Sequence, residues 1–319
     1  MRNYLFLLYI FCGICMAQPA PSYPQRPIRV IIPYPPGGST DIIARTVNAK
    51  LSAHLGQQLV IDNRAGGGGN VGHEIAARAA PDGYTLLVAI SAIVTNPAVN
   101  PRSTYDPLRD FTPLMLIARS PYRLVVFPGV PANTMQEFVA FAKSKPGTLN
   151  YGSAGSGSAV HLAAELLLRQ TGVRMTHVPY KGTGPAIVDL IAGQIQMVLG
   201  GTLSTAPQTK AGRIRALAVT SLKRRADAPD LPTLNDTVAP GYEASEWFAV
   251  FAPAGLPKPL IDRLHAELVK SANDAEVKDR LIASGMDFVG GTPAELADTL
   301  KRDYAKWAKL VKEMGLKAD

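Results

Sequence analysis

Two glycine-rich segments hold the residues of this chain best suited to chemistry: Pro35-Pro-Gly-Gly-Ser-Thr-Asp41 and Tyr151-Gly-Ser-Ala-Gly-Ser-Gly-Ser158. Glycine lets backbone approach a bound group closely, and the amides at a helix N-terminus attract anions. Each segment follows a predicted strand and precedes a predicted helix, so the pair is suited to gripping one carboxylate from opposite sides of a cleft. Either one alone is equally well a tight turn closed by a Ser or Thr cap. Their recurrence in equivalent positions favours binding. A third cluster, Gly66 to Gly72, formally contains G-x-G-x-x-G at Gly67, Gly69 and Gly72. It follows the second strand rather than the first, and Asp82 arrives too early to meet a ribose, so backbone tightness is the better account.

Other reactive patterns are sparse. The histidines at 54, 73, 161, 177 and 265 form no close pair, and His73-Glu74 has no second histidine at metalloprotease spacing. There is no G-x-S-x-G. His161, one turn into the helix after the second loop, is suited to donate to a bound carboxylate or to act as a base for Ser158. No acid is placed to orient it, which favours a binding or capping role. An exported hydrolase using Ser156 or Ser158 with His161 is the competing class. No cofactor and no metal site are expected.

The loops need a scaffold that presents them. From Arg29 onward short β-branched runs alternate with helical periodicity, the pattern of βαβ units with parallel strands. A strand at Arg29–Pro33 leads through the first loop into a helix carrying Ile43, Val47, Leu51 and Leu55 on one face. A strand at Leu59–Ile61, a helix at Val71–Ala80 and a strand at Tyr84–Ile90 follow. Two extended runs, Thr112–Ala118 and Arg123–Phe127, precede a second alternating series. It comprises helix Thr134–Lys143, strand Leu149–Tyr151, helix Ser158–Gln170, strand Met175–Val178, helix Thr183–Ala192, strand Gln196–Leu199 and helix Leu203–Ala211. Strand Ile214–Thr220 leads back to a strand at Trp247–Phe251, and the remainder is predicted helical, ending in Ala294–Met314 with Leu296, Leu300, Tyr304 and Trp307 as a packing stripe. Lobe 1 is therefore expected from residues 24–122 and 220–319, and lobe 2 from 123–219. A chain that crosses twice makes a hinge suited to closure around a ligand.

Arg2, the apolar run Tyr4–Met16 and the Pro-rich stretch after Ala17 read as a signal peptide over residues 1–17, cleaved near Ala17, with export to the periplasm. Cys12 and Cys15 are the two cysteines, both within that run, so the mature chain has no thiol to mispair. The formal charge of +8 favours anionic partners, and loss of Arg2 lowers it by one. The basic residues are dispersed, and Lys223-Arg224-Arg225 lacks interleaved aromatics, so no nucleic-acid partner is expected.

The sequence resembles the Bug family, extracytoplasmic binding proteins of tripartite tricarboxylate transporters. The likeness runs through the segment Tyr23–Asp41, Asp62-Asn-Arg-Ala-Gly-Gly-Gly-Gly-Asn-Val-Gly72, Ala80-Pro-Asp-Gly-Tyr-Thr-Leu-Leu87, Asn96-Pro97, Tyr151–His161, Val178-Pro-Tyr-Lys-Gly182, Gly212–Thr220 and Trp247–Pro257. The resemblance implies an α/β, two-lobed Venus-flytrap periplasmic binding protein fold, each lobe a mostly parallel sheet flanked by helices. It implies that Gly37, Gly38, Ser39, Thr40 and Asp41, with Ser153, Gly155, Ser156, Gly157 and Ser158, hold a ligand carboxylate, beside which His161 is read above as a donor. Tyr34 would cover the ligand, and Ser91 and Thr202 would hold its distal end. Many members carry an acid near the last of these, whereas this chain reads Leu199-Gly-Gly-Thr202, which speaks against an amino-acid ligand. The expected protein is a monomeric, non-enzymatic receptor. It would capture a small mono- or dicarboxylate, aliphatic or aromatic, for membrane permease subunits. A sensor that docks to a membrane kinase is the alternative.

Overall fold

The computed structural model describes residues 23–100 and 103–315. The expected signal sequence lies outside the described residues. In chain order the elements are β1 (Ile28–Ile32), α1 (Ser39–Leu55), β2 (Leu59–Asn63), a 3-10 turn (Gly67–Gly69), α2 (Asn70–Ala77), β3 (Thr85–Ile90), α3 (Ala92–Val99) and β4 (Phe111–Val126). There follow α4 (Met135–Ser144), β5 (Asn150–Ser153), α5 (Ala159–Thr171), β6 (Thr176–Pro179), α6 (Thr183–Ile191), β7 (Met197–Gly201), α7 (Thr202–Lys210) and β8 (Arg215–Val219). The chain closes with α8 (Leu234–Thr237), β9 (Ser245–Pro253), α9 (Lys258–Asn273), α10 (Ala275–Ala283), β10 (Asp287–Gly291) and α11 (Pro293–Met314).

Two paired sets of strands share β4. In the first, β1 pairs in parallel with β2 and β3, and β9 lies antiparallel between β3 and β4. β10 adds to β4 in the antiparallel sense. In the second, β5 pairs in parallel with β6 and β7, while β7 and β8 run antiparallel to β4. By direction, therefore, β1 to β4 run together against β9 and β10, and β5 to β8 run together against β4. Both sets are mostly parallel.

Strands covered by helices on both faces must bury both sides, which explains the unbroken apolar runs. On β1, Val30 and Ile32 face a core shared with Ile43, Val47 and Leu51 of α1 and Leu264 of α9. Ile31 turns to the opposite core, with Leu87, Phe251, Trp247, Leu296 and Leu300. The stripe read on the last helix packs as expected at Leu296, Leu300 and Trp307, all buried, with Tyr304 against their rim. The second set buries Leu124 and Val126 against Phe138 and Leu167 on one face, and Val125 and Val198 against Leu190 on the other.

Several elements differ from the expectation, the short α8 and the 3-10 turn at Gly67–Gly69 among them. The runs Thr112–Ala118 and Arg123–Phe127 belong to the single 16-residue strand β4. The apparent gap falls where β4 passes from one set to the other: Pro121 is the last residue opposite β9, at Ser245, and Tyr122 the first opposite β7, at Gly201. α3 follows β3 directly, and β10 interrupts the helical C-terminal region. The return crossing is fastened at Thr220. Its Oγ1 accepts from Tyr122 N at 2.7 Å and donates to Ala244 O at 2.6 Å, and its own N–H donates to Tyr122 O at 3.0 Å.

Candidate functional site

A cavity of about 390 Å³ lies where the two paired sets face each other, a volume within the range of small-molecule sites. Four helices begin at it. Its lining includes Gly38, Ser39 and Thr40 at the start of α1, Ser158 and Ala159 at α5, Gly182 and Thr183 at α6, and Gly201 and Ser204 at α7. Of these helices only α5 has a side-chain cap, Ser158 Oγ accepting from His161 N at 3.3 Å. The aligned peptide dipoles give each helix start a partial positive charge. Among the described residues no Lys, Arg or His side chain lines the cavity. The attraction for an anion therefore comes from backbone, and the walls at Ile90, Ala154, Val160, Pro185 and Val188 are apolar.

Of the residues expected in the site, Tyr34, Gly37, Gly38, Ser39, Thr40 and Ser158 line this cavity. Tyr34 is part of the wall, its hydroxyl donating to Gly68 O at 3.0 Å. Asp41 instead turns back into its own loop. Its carboxylate accepts from Gly37 N at 3.0 Å and Asn63 Nδ2 at 3.1 Å and pairs with Arg45 Nε at 2.9 Å. Burial pushes this acid up, but the bonds from Arg45, Gly37 and Asn63 outweigh it and hold the carboxyl below its ordinary value.

The second loop is held from behind. Ser153 Oγ accepts from Gly155 N at 3.1 Å and lies 2.6 Å from His177 Nε2. His161 Nδ1 accepts the Gly157 N–H at 3.1 Å, and the His161 ring stacks on His177 with centroids 4.0 Å apart. Thr95 Oγ1 on α3 donates to Gly157 O at 2.8 Å. Gly155 has φ +121°, and a Cβ there would stand 3.1 Å from Tyr180 O and 3.3 Å from Gly68 Cα. The turn therefore packs on the Gly66–Gly72 segment at Gly68, while the glycines of the G-x-G-x-x-G pattern stand against Asn70, Tyr34 and Pro33. Ser156 is half-buried in the same turn.

Ser91 is buried at the end of β3, with Oγ making no hydrogen bond of standard geometry. Thr202 faces a different groove, with Arg123, Asp227 and Gly285. Neither lines the cavity.

Two features of the lining escaped the sequence reading. Gly182–Pro185, a strand–glycine–helix junction like the two loops, carried a signal of the same kind. Glu246 carried none. This second residue of β9 is 7% exposed, lines the cavity, and places Oε2 3.4 Å from where a Cβ on Gly201 would stand. An acid therefore stands beside the Leu199-Gly-Gly-Thr202 segment, on a different strand. Burial pushes its carboxyl up to about 8.

A two-sheet α/β chain with an anion-attracting cavity between its halves is a solute-binding receptor in architecture. The chain belongs to the tripartite tricarboxylate transporter family of receptors, whose family model matches residues 43–316. It is 40% identical to the UPF0065 protein in the tcbD-tcbE intergenic region of Pseudomonas sp. (strain P51), over 95% of this chain and 90% of that one. It is 34% identical to Protein BugT of Bordetella pertussis, over 99% of each. Among solved structures, an R. palustris protein with adipate shares 35% identity, with TM-score 0.90 over 93% of this chain and all of that one. MatC from Rhodopseudomonas palustris with bound malate shares 32%, with TM-score 0.86 over 91% of this chain and all of that one.

Proposed function

We propose that the protein is a periplasmic receptor, not an enzyme, that captures a small organic carboxylate and presents it to membrane permease subunits. The observation that carries this reading is the convergence of four helix starts on one cavity without a basic side chain. Such a site holds an anion by fixed dipoles and amides and needs no counter-ion. The adipate and malate bound by the two solved relatives agree with it. Residues 24–122 with 220–319 and residues 123–219 act as two lobes that close about the shared strand β4 and the Thr220 crossing. Gly37–Thr40 and Ser158 meet the carboxylate, while Asp41, Ser153, Gly155, Gly157 and His161 hold the loops in shape.

For Ser158 the hydrolase alternative fares poorly: its Oγ accepts from His161 N and His161 Nδ1 accepts from Gly157 N, and neither contact is the hydroxyl-to-imidazole bond that nucleophilic catalysis requires. The second loop does hold such a contact between Ser153 Oγ and His177 Nε2, at 2.6 Å, but Ser153 does not line the cavity. Secretion is tested by sequencing the N-terminus of protein recovered from periplasmic extract, where a start near Gln18 is expected. Ligand capture is tested by a thermal-shift screen against aliphatic and aromatic carboxylates. A ligand at about 100 times its dissociation constant stabilises by about 2.7 kcal/mol, so at least one acid should raise the melting temperature by several degrees. A flat response across the panel contradicts the proposal.

A further inference from the structure

Glu246 stands out in this cavity because nothing in the protein answers it. It is 7% exposed, opens onto the cavity, and among the described residues its side chain makes no hydrogen bond or ion pair. A carboxyl that gives up most of its water without a protein partner is costly, and its place on the wall of a ligand cavity points to a partner that arrives with the ligand. Its position fits. Glu246 lies opposite Ser120 of β4, one residue from the crossing point, and so belongs to the floor on which both halves turn. The Cβ position of Gly201, 3.4 Å from Glu246 Oε2, is 3.5 Å from Ser39 Oγ, so the carboxyl lies beside the starts of α7 and α1.

The groups around it set its state. Tyr34 and Tyr122 face it, both held protonated chiefly by burial. α1 and α7 offer Ser39 and Ser204, and α6 offers Thr183. Asp41 is spent on Gly37, Asn63 and Arg45, and His161 of α5 receives the Gly157 N–H at Nδ1. Among the described residues no Lys, Arg or His side chain lines the cavity, so only the helix starts favour the ionised carboxyl, and burial opposes them, pushing it up to about 8.

We infer that Glu246 is a specificity residue: as a neutral acid it donates a hydrogen bond to an acceptor oxygen of the ligand other than the carboxylate held by the helix amides. The inference rests on the carboxylate reading above and adds to it a donor that reads the rest of the molecule. A second carboxylate or an oxo group satisfies this donor; an ammonium group does not.

Calorimetric titrations with adipate against hexanoate, and succinate against butanoate, from pH 6 to 9.5 in buffers of differing ionisation enthalpy, test it. At pH 6.5 a diacid should bind at least tenfold more tightly than its monoacid. That advantage should fall as pH rises above about 8, and binding between pH 7 and 8 should take up protons. E246A should abolish the advantage. E246Q, whose amide still donates, should keep it and lose the pH dependence. Proton release on binding, an advantage independent of pH in the wild type, or equal loss in E246Q and E246A would overturn the inference. Failure of all these acids to bind overturns the carboxylate reading and this inference together, whereas binding indifferent to Glu246 overturns this inference alone.

Discussion

Asp41 and Glu246 are two buried acids of one site, driven in opposite directions by what surrounds them. Asp41 is held ionised by Arg45, Gly37 and Asn63, against the opposing effect of burial. Its stabilisation is present above the unfolded carboxylate value and is lost as pH falls through the lower folded one. Asp41→Asn should cost about 1–3 kcal/mol at pH 7 and flatten the loss of stability below about pH 4, measured by urea unfolding across that range. For Glu246 the sign reverses. The folded state keeps a proton that the unfolded chain has released, so stability declines from about pH 4 up to about 8. Glu246→Gln should therefore be more stable than wild type at pH 8 by a few kcal/mol, with a smaller gap at pH 5. No gain at pH 8 would show that the carboxyl is better solvated than its burial indicates. Sequence pattern exposed Asp41 as a loop residue but not the direction of its side chain. Glu246 was hidden because a lone acid before an apolar strand has no period or motif; its meaning comes from β9 passing beneath the starts of α1 and α7.

Helix starts are the elements that make the site, and elements were the most legible level of the sequence. α1 and α5 follow from glycine turns ahead of clear periodicity, and α6 has the same grammar. α3 was missed because Ala92–Asn96 is buried throughout, leaving no polar face to mark a 3.6-residue period, and Pro97 reads as a breaker. β10 was missed because Gly290 and Gly291 dilute a five-residue strand lying between helices. Caps separate stability from binding. α11 has a full capping box between Thr292 and Glu295, on a helix that does not line the cavity. Thr292→Ala should lower stability by about 1 kcal/mol and leave ligand affinity within twofold. Ser158→Ala, which removes the equivalent cap on α5, should lower both, and melting and titration of the two variants side by side distinguish the roles.

At the scale of the whole molecule, alternating strands and helices announced two α/β halves, but the manner of their joining was not legible. The runs Thr112–Ala118 and Arg123–Phe127 read as two extended segments, whereas they are one continuous strand that changes partners at Pro121. The Thr220 hydroxyl ties this strand to both sides of the return crossing. Thr220→Val keeps the shape and removes the hydroxyl, leaving the buried Tyr122 N–H without its side-chain acceptor. A loss of about 1–3 kcal/mol in denaturant unfolding is expected.

The central claim is that helix dipoles and amides hold an anion here. It is tested most directly by titrating the purified protein at pH 7 with adipate and with adipamide, its uncharged counterpart of nearly the same shape. The account predicts saturable binding of the diacid with one-to-one stoichiometry, and binding of the diamide at least a hundredfold weaker. Equal affinity for the two, or binding of the diamide alone, would contradict it.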